Sequence, residues 1–289
     1  MKSKLSKLMS VAALAWVASV PGVATAQSTW NLGSNTCGSG SGTTYPTLTC
    51  NGSSSSETAT MTAWGTQSTA GNFIAGTLAN WDPSGFGAYV GGDSGSPYHA
   101  FDSSSPAATT EAMLISFGPV KVNLTSIAIG WMSGDADVSV LRWDGAGAPP
   151  AMTGLGTGGL VGAGWTLVGS QDLAAAGPNF DNPNTWGTSN DAYKSTLALG
   201  NQVSSYWMIS TYYGATSGNL DKGNDAFKIL NFTANVCSSG VYTGGNGGNG
   251  GTCGSSGGGG SVPEPGTLAL AGLALAGVYR SRRKKAQPV

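Results

Sequence analysis

Glycine supplies 47 of the 289 residues, and that density removes most helical architectures from consideration. A glycine in a helix interior costs about 1 kcal/mol relative to alanine, so no bundle could carry so many. Strands and turns remain, and the chain from Met61 to Asn235 reads that way, as short apolar runs broken by Gly, Pro, Asn and Asp. The pattern predicts strands at Ala112–Phe117, Val120–Trp131, Val138–Trp143, Trp165–Val168, Tyr206–Tyr213 and Ala226–Phe232, on length, alternation and β-branched or aromatic content. In the third of these, Val138, Val140 and Arg142 fall on one face, with Ser139, Leu141 and Trp143 on the other. The expected fold is all-β, a jelly-roll-like β-sandwich over 61–236. Trp131, Trp165 and Trp207 lie inside strand-like runs and are expected in its core.

The two ends belong to other chemistry. Lys2, Lys4 and Lys7 precede an apolar run from Leu8 to Val20, and Ala24-Thr25-Ala26 follows as a small-residue cleavage pattern. Residues 1–26 thus read as a signal peptide, cut by signal peptidase between Ala26 and Gln27. Residues 27–60 read as an irregular Cys-containing segment rich in Ser, Thr, Gly and Asn, and 237–261 as a flexible Gly/Ser-rich spacer. The tail, 262–289, opens with Val262-Pro263-Glu264-Pro265 and continues through the apolar run Gly266–Tyr279 to a basic cluster that includes Arg282 and Arg283. The apolar run is shorter than the ~20 residues of a free-standing membrane span. It is expected to form a short transmembrane helix in the inner membrane, with the basic cluster as its cytoplasmic stop.

Charge narrows the partners. The chain carries 13 basic and 14 acidic residues in all. Eight of the basic residues and one of the acids sit in the two ends, so 27–261 keeps 13 − 8 = 5 basic and 14 − 1 = 13 acidic residues, a net of −8. Such a body repels phosphate backbones, which argues against nucleic-acid partners. It is compatible with cations. The four cysteines, Cys37, Cys50, Cys237 and Cys253, form an even set in an exported chain, the pattern of two disulfides. Three pairings are open. The local pairs Cys37–Cys50 and Cys237–Cys253 are favoured because each closes a Gly/Ser-rich loop with little core of its own. With no CxxC and one His, a zinc site is not expected.

The tail VPEPGTLALAGLALAGVYRSRRKK closely resembles the PEP-CTERM signal of Gram-negative bacteria. The resemblance implies cleavage by a membrane protease of the exosortase type near Pro263-Glu264-Pro265, and transfer to the cell surface or extracellular matrix. Such signals are often found in species that make exopolysaccharide. The body resembles a family of exosortase-dependent surface proteins. The segments that carry this are Ser96–Asp102, Ile127–Trp131, Asp135–Leu141, Gly164–Gly169, Ser204–Ile209 and Gly223–Leu230, within roughly 90–232. This chain has Ser103 where that family usually has Asn. The resemblance brings no enzymatic activity with it.

Several motifs invite chemistry. Gly92-Asp93-Ser94-Gly95-Ser96-Pro97 is close to the nucleophile motif of trypsin-like proteases, but the one His, His99, follows Ser94 instead of preceding it. A serine nucleophile needs a base and an orienting acid, so a Gly/Asp/Ser turn is the better reading. His99 and Asp102 read as local packing and turn capping. Asp135, Asp137 and Asp225 are candidate calcium ligands, since calcium takes six to eight oxygens, and Gly223-Asn224-Asp225 resembles the structural calcium position of jelly-roll carbohydrate-binding modules. Solvated acids at strand ends are the plainer alternative, and no cofactor is required. Trp81 and Trp186 lie in loops and could stack on the sugar rings of an exopolysaccharide, or simply pack there. No pair of carboxylates is placed to act as a glycosidase, so a catalytic role is not expected. Mass spectrometry of the exported protein should find Gln27 at its N-terminus. A chain that begins upstream of Ala26 would sink the signal-peptide assignment.

Overall fold

A computed structural model describes residues 26–253, apart from 34–36, 39, 54–56, 68–70, 92–98, 104–109, 134–135, 173–192, 197–200, 214–222, 224 and 238–241. Trp186, Asp135, Ser94, the signal peptide up to Thr25 and the tail with Pro263, Glu264, Pro265, Arg282 and Arg283 lie outside the described residues. Among the described residues no helix is long and apolar enough to cross a membrane.

The strands run, in chain order, β1 (Ala26–Asn31), β2 (Thr44–Tyr45), β3 (Leu48–Asn51), β4 (Thr58–Thr66), β5 (Phe73–Ala75), β6 (Thr77–Asn80), β7 (Phe86–Tyr89), β8 (Phe101–Asp102) and β9 (Glu111–Ser116). Then come β10 (Val122–Met132), β11 (Asp137–Trp143), β12 (Trp165–Asp172), β13 (Tyr193–Thr196), β14 (Gln202–Val203), β15 (Tyr206–Thr211), β16 (Ala226–Val236), β17 (Tyr242–Thr243) and β18 (Gly251–Cys253). One sheet has the order β13-β10-β16-β7-β6-β2, with β1 and β8 also on β16. The other has the order β12-β11-β15-β9-β4-β3, with β5 on β4. The chain passes repeatedly between the two sheets, among other places from β8 to β9, from β9 to β10, from β10 to β11, from β12 to β13 and from β15 to β16. Such crossings belong to a jelly-roll-like sandwich.

All six strands expected from the sequence are present, with ends shifted by a few residues. The shared core is filled by Met61, Phe86, Phe101, Ile115, Ile127, Ile129, Val138, Val140, Trp207, Ile209, Phe227, Ile229 and Phe232, with smaller neighbours. At roughly 1.5–3 kcal/mol for each large apolar side chain, this burial is the main stabilising contribution. A second cluster lies on the other face of the β12-containing sheet. There Leu141, Trp143, Trp165 and Met208 are covered by Met152 and Leu160 from the β11–β12 connection. That cover explains why every residue of β11 is buried, as in a strand packed on both faces.

Two boundaries differ from the expectation. The segment 27–60 is not irregular: β1 pairs in register with β16, from Ala26 opposite Val236 to Asn31 opposite Asn231. Trp30 stacks on Phe232 at 5.3 Å and meets the edge of Phe117 at 5.0 Å. Nor is the stretch after Val236 wholly spacer. β17 and β18 form a small sheet with β14, and the disulfides join Cys37 to Cys50 and Cys237 to Cys253.

Asn249 fastens this small sheet. Its side chain is fully buried. The amide oxygen accepts from Lys121 Nζ at 2.6 Å, the Ser205 N–H at 3.0 Å and Ser204 Oγ at 3.3 Å. The amide nitrogen donates to the Gly145 and Gly147 carbonyls at 2.9 and 3.2 Å. Burial pushes the Lys121 ammonium below its usual range, so the short bond to Asn249 holds a partly desolvated charge. Asn249→Ala should leave several of these groups without partners and cost about 2–4 kcal/mol. Thermal unfolding and limited proteolysis within 242–252 read the effect. An unchanged melting temperature would show that the disulfide alone holds the segment.

Candidate functional site

The expected calcium ligands come together only in part. Asp225, just before β16, is 1% exposed, and Asp137, the first residue of β11, is fully buried. One Asp225 carboxylate oxygen accepts the Asp137 N–H at 2.8 Å, and the other accepts Ser103 Oγ at 2.7 Å. Ser103 N–H also donates to the Asp225 carbonyl at 3.0 Å. Asp225 therefore ties the ends of β8, β11 and β16 together through protein donors. Glu111, at the start of β9, accepts the Asp102 N–H at 3.1 Å. Among the described residues, no three His, Cys, Asp or Glu side chains are grouped so as to hold a metal ion. Ser103 supplies one of the tying bonds.

Asp144 and Arg142 form the one ion pair among the described residues. Arg142 donates from Nε and Nη2 to the two Asp144 oxygens at 2.6 and 3.0 Å, and Thr166 Oγ1 donates to Asp144 at 2.7 Å. Burial alone would raise the Asp144 carboxyl. The bonds from Arg142 and Thr166, with the Arg142 charge, outweigh it and hold that carboxyl below its usual range.

The outer face of the β16-containing sheet gathers a different set. Trp81 opens the β6–β7 turn, which its N–H closes by donating to the Gly85 carbonyl at 2.9 Å. Two glycines let this turn lie flat on the strands. A Cβ on Gly85, whose φ is +98°, would collide with the Ile229 carbonyl of β16, and one on Gly130 would meet the Ser84 carbonyl. Trp81 stacks on His99, the ring centres 5.6 Å apart and nearly parallel, and Tyr89 tilts against the same imidazole at 5.1 Å. His99 holds a left-handed backbone, φ 56°, which non-glycine residues adopt only where the surroundings impose it.

Lys228 joins the patch from β16. Its neighbours Phe227 and Ile229 enter the core, so alternation turns Lys228 to the outer face. The ammonium lies 3.5 Å from the ring centre of Trp131 and 5.8 Å from that of Trp81, both within cation–π range. The Trp131 ring is only half-buried, against the expectation that it fills the core. A register shift explains the difference: Ile129 pairs with Ile229 but Trp131 pairs with Lys228. The extra residue, Gly130, turns Trp131 out of the phase of Ile127 and Ile129. Trp165 and Trp207 do lie in the core, 1% and 0% exposed.

Sequence reasoning found Trp81 and missed Lys228. A signal was there, because AFKILNF sets a charge inside an otherwise buried-looking run of a body with five basic residues. Burial drives the Lys228 amine from its usual value of 10.5 down to about 8. Between those values the unfolded chain keeps the proton that the folded chain loses, so stability rises with pH there. Below about 8 the full desolvation cost is present, on the order of 2–3 kcal/mol. Lys228→Met should flatten that rise, read as the difference in unfolding free energy between pH 7 and 10. Identical slopes in the two proteins would contradict the burial of this charge.

What the fold defines is an all-β sandwich with disulfides at Cys37–Cys50 and Cys237–Cys253 and an aromatic and lysine patch on one outer face. Residues 261–284 match the PEP-CTERM protein-sorting motif. That motif indicates an exosortase-dependent, exported surface protein. No curated protein matches it, and no solved structure does.

Proposed function

We propose that this chain is a surface or extracellular-matrix protein without catalytic activity of its own. Its sandwich is the functional body, and its tail is handed to exosortase after signal peptidase has removed residues 1–26. The observation that carries this reading is the use of the reactive side chains in holding the fold. Asp225 ties three strands, Asp144 is clasped by Arg142 and Thr166, and His99 is stacked between Trp81 and Tyr89. General acid–base work needs such groups to face a substrate.

A second reading, a carbohydrate-binding jelly-roll module that contacts exopolysaccharide, is favoured by the half-exposed rings of Trp81 and Trp131 beside Lys228. Trp186 remains a second candidate contact. Structural calcium on Asp135, Asp137 and Asp225 belongs with this reading, so binding assays should be run with and without the ion.

Surface labelling of producing cells tests the leading reading. The wild-type protein should be labelled, with a mature mass that ends near Pro263-Glu264-Pro265, and a chain truncated after Ser261 should go unlabelled. The mature protein should also release no reducing ends from polysaccharide. Labelling of the truncated chain would refute the sorting role of the tail, and polysaccharide hydrolysis would refute the non-catalytic assignment.

A further inference from the structure

We propose that the outer-face patch of Trp81, Trp131 and Lys228 binds an acidic glycan, with Lys228 receiving the carboxylate of a uronic-acid unit that lies against the two indoles. This rests on the carbohydrate-binding reading and names the class of sugar.

The cations of the sandwich differ in what they meet. Arg142 is paired with Asp144. Lys121 donates to Asn249. The Lys228 ammonium instead meets ring faces, Trp131 at 3.5 Å and Trp81 at 5.8 Å, and no carboxylate of the described residues lies within ion-pair distance of it. An ammonium has three N–H donors, and a ring face attracts the charge without filling the directional demand that an anion's oxygens would. The side chain is 6% exposed, so its charge has given up most of its water with no anion in return. That is a poor arrangement for stability alone. An incoming carboxylate would supply the missing acceptor.

The flanking groups select a sugar over a free anion. Trp81 and Trp131 both keep part of their rings at the surface, and an indole offers a broad apolar face with a polar edge. A pyranose presents C–H groups to a ring face and hydroxyls at its rim, and the carboxylate of a uronic acid projects from that same rim. The patch is also built to hold its form. Gly85 and Gly130 seat the Trp81 turn directly on β16 and β10, and the register shift at Gly130 sets Trp131 opposite Lys228. Such pre-organisation lowers the ordering cost of binding. The body as a whole carries a net charge of −8 over 27–261, which disfavours dense polyanions such as nucleic acid and leaves this patch as a local exception.

The test is retention of the mature exported protein on immobilised alginate, carboxyl-reduced alginate and neutral dextran at physiological salt. Alginate should retain the protein about tenfold more strongly than its carboxyl-reduced form. Lys228→Met should erase that difference, and Lys228→Arg should keep part of it. Near-UV circular dichroism and an intact-mass count of both disulfides show that each variant is folded. If Lys228→Met fails to fold, Lys228→Arg and the comparison of alginate with its reduced form still decide. Equal retention on all three matrices, unchanged by Lys228→Met, overturns the acidic-glycan inference and leaves glycan binding standing. No retention on any matrix overturns both.

Discussion

Strand β16 has hydrogen-bonded partners along both edges, and the architecture depends on that double pairing. β10 runs beside it for nearly its full length, while β1 takes one half of the opposite edge and β8 and β7 share the rest. A central strand leaves no backbone donor or acceptor unpaired in the interior. It can therefore send Phe227, Ile229, Phe232, Ala234 and Val236 into the core at little polar cost. The inward residues switch from odd to even positions near Leu230 and Asn231, where β10 shifts register against it. The same shifts turn Lys228 and Trp131 to one face.

Glycine is the constraint that lets thin connections cover this frame. The sheet pair is decorated by turns lying close on the strands, and at Gly85 and Gly130 a methyl group would strike backbone oxygen. A larger residue at either position would have to hold the Trp81 turn away from the strands. At the other end of the fold, Asn249 does for the C-terminal segment what side chains of a larger core would do, by satisfying buried polar groups from three separate stretches.

Legibility from the sequence followed side-chain size. The six strands rich in Val, Ile, Leu, Trp and Phe were readable because their alternation is strong. β4, TATMTAWGT, alternates just as regularly, with Ala59, Met61 and Ala63 buried, yet alanine and threonine give a faint signal. β1 gives a faint signal for the same reason, though Trp30 stands at the centre of an aromatic stack. Of the candidate site, Trp81 was legible as a loop aromatic. Trp131 is expected in the core because it lies inside a strand-like run, and a one-residue register shift turns it out.

The sequence by itself carries the sorting signal, since the PEP-CTERM motif at 261–284 is a linear motif read without a fold. It also determined the β class, because glycine density and two-residue alternation act locally on the backbone. Only the tertiary structure decided which acids, cations and aromatics meet. Asp225 meets Ser103 across 122 residues and Lys121 meets Asn249 across 128. Lys228 faces Trp81 through a turn seated by Gly85, within that turn, and by Gly130, far from both in the chain. Contacts over such separations depend on sheet pairing and register, which short-range pattern does not encode.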